Sequence, residues 1–162
     1  MLHYSRILFL LFFLAVTSCD KVDEPSDNTI IDTAVELAVK NEDGEDILDP
    51  SHPDAIDVEA LRLFYKVDGE VQEVYDGNLS SPRNISHIEH QNEYRLRISL
   101  NYTESEEKPV TYLEWNENDT DTLEAVFRYP KNGVIQEEVW YNGDSIWNDS
   151  EVNTEPYLEL TR

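Results

Sequence analysis

The segment Tyr94-Arg-Leu-Arg-Ile-Ser-Leu-Asn-Tyr102 alternates between apolar and polar residues along its whole length. Successive side chains of a β-strand point to opposite faces of a sheet. The segment therefore predicts a strand with one wet face and one core face. The core face is expected to carry Tyr94, Leu96, Ile98, Leu100 and Tyr102.

The same two-residue period recurs on both sides of this strand. It is clear in Val35–Val39, Leu61–Val67 and Leu123–Tyr129, and no long segment beyond the N-terminal apolar run shows an apolar stripe at helical spacing. Further strands are predicted at Val71–Tyr75, Asn84–Glu89, Val110–Trp115, Val134–Tyr141 and Tyr157–Thr161. In Val134–Tyr141 the alternation places Ile135, Val139 and Tyr141 on one face and Trp140 on the other.

Tight turns join the predicted strands. Asp68-Gly69 and Asn142-Gly143 are typical of two-residue hairpins, because type I′ turns need positive φ at both central positions. A short helical turn is expected at Val58–Leu61. About eight short strands without crossover helices predict an all-β fold, a two-sheet immunoglobulin-like or transthyretin-like sandwich, with a lipocalin-like up-and-down barrel as the alternative.

The N-terminus has the composition of an export signal. Arg6 is the only charged residue before Cys19, and the apolar run Ile7–Val16 is too short for a bilayer-spanning helix of about 20 residues. Val16-Thr17-Ser18-Cys19 resembles the bacterial lipobox, whose cysteine receives diacylglycerol. We therefore expect a lipoprotein signal peptide at 1–18 and lipidation of Cys19; the alternative is an ordinary signal peptide with an accidental cysteine.

The segment after Cys19 is polar and acidic. Residues 19–29 are expected to form a flexible tether, and residues 30–162 a single β domain. The tether also resembles the surface-export signal of Bacteroidota lipoproteins; a solvated linker without a signal is the alternative, and Asp20 would indicate inner-membrane retention in other bacteria.

The charge of the chain excludes some classes of partner. Its 35 acidic residues outnumber its 12 basic ones, giving a net charge of −23. Such a charge repels phosphate backbones and anionic lipid headgroups, so no nucleic acid is expected as a partner and the acyl anchor is the expected membrane contact.

No catalytic constellation is evident in the sequence. It contains no Gly-x-Ser-x-Gly elbow, phosphate-binding glycine loop or His-Glu-x-x-His motif, and its only cysteine is the predicted lipidation site. We therefore predict that the protein is not an enzyme. A hydrolase would require a concave cleft that holds His87 or His90 beside carboxylates.

Two acidic turns could supply oxygen ligands to calcium. The first carries Asn41, Asp43 and Asp46, and the second carries Asn118, Asp119 and Asp121. Neither has the spacing of an EF-hand loop. Both also fit plain hairpin turns, where Asn, Asp and Gly are favoured for backbone reasons. Calcium is the only cofactor that the sequence suggests.

Aromatic residues are concentrated in the C-terminal third. Trp115, Trp140, Tyr141 and Trp147 lie next to predicted turns. On a wet face they could stack on sugar rings or anchor a protein partner. The alternative is that they belong to the core.

Several segments together resemble small surface lipoproteins of gut-type Bacteroidota. They are the Cys19 start, Asp43-Gly44 with Leu48-Asp49-Pro50, the Tyr65–Gly69 hairpin, and Val139-Trp-Tyr-Asn-Gly143. The resemblance implies an outer-membrane, surface-exposed location and a sandwich-like fold, and it implies no activity. It also implies O-glycosylation at Asp-Ser/Thr-apolar triplets, for which the candidates are Thr33, Thr122 and Ser145.

These observations predict a lipid-anchored lipoprotein of the outer membrane with a non-catalytic β domain. The domain is expected to bind a glycan or an envelope protein. A calcium-stabilised structural protein is the alternative, and a hydrolase is the third hypothesis.

Overall fold

The computed structural model describes residues 29–150 and 154–162. The predicted signal peptide, Cys19 and the tether up to residue 28 lie outside these residues. The described chain forms eleven strands and one short 3-10 helix at Val58–Ala60. The strands are β1 (Ile30–Asp32), β2 (Ala34–Lys40), β3 (Arg62–Val67), β4 (Glu70–Glu73), β5 (Ile85–His90), β6 (Glu93–Ser99), β7 (Val110–Asn116), β8 (Asp119–Arg128), β9 (Gly133–Tyr141), β10 (Asp144–Asn148) and β11 (Tyr157–Thr161).

The strands form two sheets. The larger has the order β1-β9-β8-β7-β3-β4, with β10 also paired to β9, and it curls into a half-barrel. The smaller has the order β11-β2-β6-β5. The predicted two-sheet all-β sandwich is confirmed, although with eleven strands instead of about eight. The up-and-down alternative does not describe the chain, because β1 pairs with β9 and β2 with β11, both in parallel and across long sequence separations.

The core lies between the two sheets. β2 and β6 contribute the fully buried side chains of Val35, Leu37, Leu96 and Ile98 from the smaller sheet. The larger sheet contributes Leu63, Leu113, Leu123, Ala125 and Val139. Their period of two along each strand reflects the burial of one sheet face, as the sequence pattern indicates.

The strand at 94–102 is shorter than predicted. β6 ends at Ser99, although the next backbone amide, that of Leu100, still donates to the carbonyl of Thr33, just before β2 (2.8 Å). Leu100 is still buried, but Tyr102 has left the sheet and is 42% exposed. The prediction that Tyr102 shares the core face is therefore wrong.

Both predicted hairpin turns are present. Asp68 and Gly69 have φ values of 52° and 85°, and Asn142 and Gly143 have 50° and 88°. Positive φ at both central positions is the requirement of the type I′ turn, which these residue pairs meet at low cost.

A bulge in β9 alters which of its side chains face the core. Val126 pairs with Glu138, but the next residue, Phe127, pairs with Gln136, so Glu137 is an extra residue. The bulge buries Gln136 and moves Ile135 to the opposite face from Val139. The prediction that Ile135, Val139 and Tyr141 share one face is wrong for Ile135.

The alternation of apolar and polar residues does not predict β1, because all three of its residues are exposed. It adds to the edge of the larger sheet in parallel with the start of β9. The backbone approaches so closely there that a Cβ at Gly133 would lie 2.4 Å from the carbonyl oxygen of Ile30. Only glycine accommodates this contact.

Candidate functional site

The four aromatic residues singled out in the sequence do not form one surface. Trp140 lies half-buried on the outer face of the larger sheet, with Lys108 Nζ 4.0 Å from its ring centroid. Trp115 and Tyr141 both donate hydrogen bonds to Asp121. Trp147 is 8% exposed, and its indole nitrogen donates to the carbonyl oxygen of Thr154 (3.0 Å).

Asp121, which is 7% exposed, is the centre of a polar cluster, which we call the Asp121 cluster and define as Trp115, Asp121, Tyr141, Asn142 and Arg162. Trp115 Nε1 donates to Asp121 Oδ2 (2.6 Å), and Asn142 Nδ2 donates to Asp121 Oδ1 (2.8 Å). The Tyr141 hydroxyl and the Arg162 guanidinium also donate to Oδ2. The guanidinium of Arg162 lies 4.1 Å from the Trp115 ring centroid, within range of a cation–π contact.

This cluster fixes the charge state of Asp121. Burial alone would raise the pKa of its carboxyl, but the hydrogen bonds from Asn142, Tyr141 and Trp115 and the charge of Arg162 outweigh burial and lower that pKa. Burial and the neighbouring Asp121 carboxylate raise the pKa of Tyr141. Asp121 is therefore ionised and Tyr141 is a neutral donor at neutral pH.

The second predicted calcium turn overlaps this cluster. Asp119 pairs with Arg162, the Asp121 oxygens accept four donors, and Asn118 is exposed with its backbone amide bound to Asn116 (3.0 Å). Among residues 29–150 and 154–162, no group of three or more His, Cys, Asp or Glu side chains is arranged to hold a metal ion.

In the first predicted calcium turn, the side-chain oxygens of Asn41 and Asp46 accept backbone amides. Asn41 Oδ1 accepts from the amides of Asp43 (3.0 Å) and Glu45 (2.9 Å). Asp46 accepts from the amides of Leu48 (2.9 Å) and Tyr94 (2.7 Å). The turn chemistry thus accounts for the occurrence of these residues.

A cavity of about 570 Å³ opens beside β10 and β11. We call it the β10–β11 cavity. Its apolar and aromatic wall comes from Ile146, Trp147 and Tyr157. Its polar wall comes from Glu36, His90, Arg95, Thr154 and Glu155. An apolar cavity of this size with a few convergent polar groups has the character of a small-molecule site, for which ~300–1,000 Å³ is typical.

The polar wall of this cavity is held in place by ion pairs. Glu36 is 7% exposed and accepts from Arg95 Nη1 (3.0 Å) and Arg97 Nη1 (2.7 Å). The Arg95 guanidinium lies 4.3 Å from the ring centroid of Tyr157 and also pairs with Glu93. Burial would raise the pKa of Glu36, but the two arginines lower it.

His90 and Glu36 together line a cleft, which is the arrangement that a hydrolase would require. Both Glu36 oxygens, however, accept from guanidinium groups, and the pKa of Glu36 is lowered. A general acid or base near neutral pH needs a pKa close to that pH. Glu36 is therefore a positioning and charge-pairing group.

A second cavity, of about 400 Å³, lies between the 3-10 helix and the start of β5. We call it the Arg83 cavity. His87, the other histidine of interest, lines it together with Glu59, Tyr75, Ser81, Arg83 and Ser86.

The three candidate glycosylation residues differ in accessibility. Thr33 is 5% exposed, and Thr122 is half-buried on β8. Ser145 is exposed on β10, directly after the β9–β10 turn. Of the three, Ser145 presents the most accessible hydroxyl in the folded chain.

Sequence analysis missed most of the residues that line the two cavities. Glu36, Arg95 and Tyr157 lie on three strands that meet only through the β2–β6 and β2–β11 pairings. The polar face of the 94–102 segment, with Arg95 and Arg97, was the one available signal, but it did not reveal which carboxylate they pair with.

Comparison of the chain with protein-family models, with curated proteins and with solved structures finds no significant match. No helix within the described residues is both long and apolar enough to cross a membrane.

Proposed function

We propose that the protein is a lipid-anchored lipoprotein of the outer membrane, exposed at the cell surface, whose non-catalytic β domain binds a glycan in the β10–β11 cavity. The anchor is supported by the Val16–Cys19 pattern and the short apolar run before it. The binding function is supported by one observation, the combination of aromatic and charged walls in this cavity.

The cavity offers both kinds of contact that a sugar ring needs. A pyranose presents C–H faces, which pack on aromatic side chains, and hydroxyls, which bind charged and polar groups. Tyr157 and Trp147 supply the first, and Arg95, Glu36 and Glu155 supply the second. Ion pairs already hold Arg95 and Glu36 in position, so binding costs little side-chain ordering.

A binding assay with the full chain in detergent tests this role. The probes are a panel of purified polysaccharides and their oligosaccharides, and the readout is the melting temperature followed by calorimetry. A ligand at a hundred times its Kd stabilises the fold by ~2.7 kcal/mol, which raises Tm by several degrees at ~2–4 °C per kcal/mol. We expect such a shift with at least one glycan.

A matched pair of tyrosine variants locates the binding. Tyr157 is 37% exposed in the cavity, whereas Tyr102 is 42% exposed outside it. We expect Tyr157→Ala to abolish the shift and Tyr102→Ala to keep it. Equal loss in both variants, or no glycan that binds, would overturn the proposal.

The anchor is tested separately. We expect wild-type protein to fractionate with membranes and to incorporate labelled fatty acid, and Cys19→Ser to lose both properties. A Cys19→Ser protein that is still acylated and membrane-bound would contradict lipidation at this residue, without bearing on glycan binding.

A further inference from the structure

Arg83 differs from the other arginines in its surroundings. Each of the other five arginines in the described residues forms an ion pair with a carboxylate, namely Arg62, Arg95, Arg97, Arg128 and Arg162. Within the part of the chain that the structure describes, Arg83 forms no ion pair, although acidic residues outnumber basic ones almost threefold in the sequence. Its charge is therefore not neutralised by a direct carboxylate contact.

The hydrogen bonding of Arg83 is also incomplete. Nη1 donates to the backbone carbonyl of Glu59 (3.1 Å), but Nε is buried and has no partner among residues 29–150 and 154–162. The guanidinium lies 5.7 Å from the ring centroid of Tyr75, which holds it at the cavity wall. Buried donors without an acceptor are rare in folded proteins. Because Nε has almost no accessible surface, a ligand in the cavity would reach the guanidinium through its terminal nitrogens.

The rest of the cavity wall is polar and carries both donors and acceptors. Ser81 Oγ and Ser86 Oγ lie 2.7 Å apart and pair with each other. Glu59 also lines the cavity, as does His87. A bare anion would pair with Arg83 alone. A ligand with both a carboxylate and hydroxyls would use Arg83 and Glu59 together.

We propose that the Arg83 cavity is a binding site for a sugar acid. The ligand carboxylate pairs with the Arg83 guanidinium, and its hydroxyls bind Glu59, Ser81 and Ser86. The ring packs beside Tyr75. The volume of about 400 Å³ accommodates such a ligand.

This inference does not rest on glycan binding in the β10–β11 cavity. The linings of the two cavities share no residue, and the Arg83 cavity includes His87 where the other includes His90. Each proposal can therefore fail alone.

Calorimetry on the full chain tests the site. The probes are D-glucuronate and D-galacturonate, with glucose and galactose as neutral counterparts and acetate and inorganic phosphate as bare anions. We expect one uronate to bind in the millimolar range or tighter, with at least roughly tenfold weaker binding of the neutral sugars and the bare anions.

Arginine variants assign the binding to this cavity. Arg83→Gln should weaken uronate binding by at least about tenfold, and Arg83→Lys should restore only part of it, because lysine keeps the charge but not the two-pronged geometry. The matched control is Arg128→Gln, whose partner is the surface residue Glu137. It should bind as wild type does.

Three results would overturn the proposal. The first is no uronate binding up to about 10 mM. The second is binding of acetate or phosphate as tight as that of the uronates, which would mark a simple anion site. The third is uronate binding that survives Arg83→Gln but is lost in Tyr157→Ala, which would place the ligand in the β10–β11 cavity.

Discussion

The Asp121 cluster and the Arg83 cavity contain the same kinds of side chain but differ in how completely the arginine and its neighbours are hydrogen-bonded. Each sets an arginine against an aromatic ring, Arg162 on Trp115 and Arg83 on Tyr75. In the cluster a buried carboxylate accepts from four donors. In the cavity, as far as the described residues go, the guanidinium has one carbonyl partner and a buried nitrogen without a partner.

This difference in hydrogen bonding indicates that one region stabilises the fold and the other binds a ligand. A fully paired buried network stabilises the fold, and removing one member leaves the others unpaired. An incompletely paired group contributes little to stability but can gain a partner when a ligand arrives. The cluster is therefore expected to hold β7, β8, β9 and the C-terminal residue together, and the cavity to recognise a ligand.

The largest effect is expected at the centre of the cluster. Asp121→Asn removes the charge that Arg162 faces and turns one acceptor into a donor beside the Asn142 amide. We expect a loss of about 2–3 kcal/mol in the free energy of unfolding, measured by urea denaturation, because several hydrogen bonds to a buried carboxylate are lost or weakened.

Asp119→Asn is the matched control for this substitution. Asp119 pairs with the same arginine, but its side chain is 43% exposed against 10% for Asp121. We expect it to cost less than about 1 kcal/mol. Similar losses in the two variants would mean that the burial of Asp121 does not matter.

The contribution of Asp121 should also depend on pH. Its pKa in the folded state is lowered, so its stabilising effect is complete above the unfolded value of about 3.9 and is lost as the pH falls through the folded value. The stability difference between wild type and Asp121→Asn should therefore shrink below about pH 4, by ~1.4 kcal/mol per unit of pKa difference. A difference that stays constant from pH 7 to pH 3 would contradict an ionised Asp121.

The local elements of the fold were predictable from sequence. The alternation in β2, β3, β6 and β8 and the two type I′ turns are short-range signals, because they depend on sheet periodicity and on φ at neighbouring residues. The number of such strands indicated a sandwich or a barrel, and the structure has the favoured two-sheet form.

The candidate sites were not predictable, because their residues come together through pairing between distant strands. Trp115 and Asp121 belonged to separate hypotheses, yet they hydrogen-bond to each other across the β7–β8 hairpin. Arg162 reaches the same carboxylate from the end of β11. The bulge at Glu137 was equally unpredictable from sequence. A single extra residue moves the side chains that precede it to the opposite face of the sheet and leaves the amino-acid composition of the strand unchanged.

The bulge leads to a third prediction. Gln136 is 1% exposed, and neither its amide oxygen nor its nitrogen has a hydrogen-bond partner in the described part of the chain. Unlike Arg83 it lies in the core beside Phe127 and lines neither cavity described above. Gln136→Leu should raise the free energy of unfolding by about 1–2 kcal/mol, because it removes an unpaired buried amide of similar size.

The control for this change is Gln72→Leu on the exposed edge strand β4, which should have an effect within about 0.5 kcal/mol. A destabilised Gln136→Leu would indicate that the amide is paired in solution. Gln136 could then no longer serve as an example of an unpaired group that only destabilises the fold, in contrast to Arg83, which we expect to bind a ligand.

The smallest effect on stability is expected at Arg83 itself. Arg83→Gln removes one hydrogen bond to the Glu59 carbonyl and a distant contact with Tyr75, and it also removes the unpaired nitrogen, so these contributions largely cancel. We expect a change below about 1 kcal/mol in urea denaturation without ligand. With saturating uronate the wild type should gain stability and the variant should not. A loss above about 2 kcal/mol without ligand would instead make Arg83 a structural residue like Arg162, because a group that stabilises the unliganded fold to that extent already has its partners.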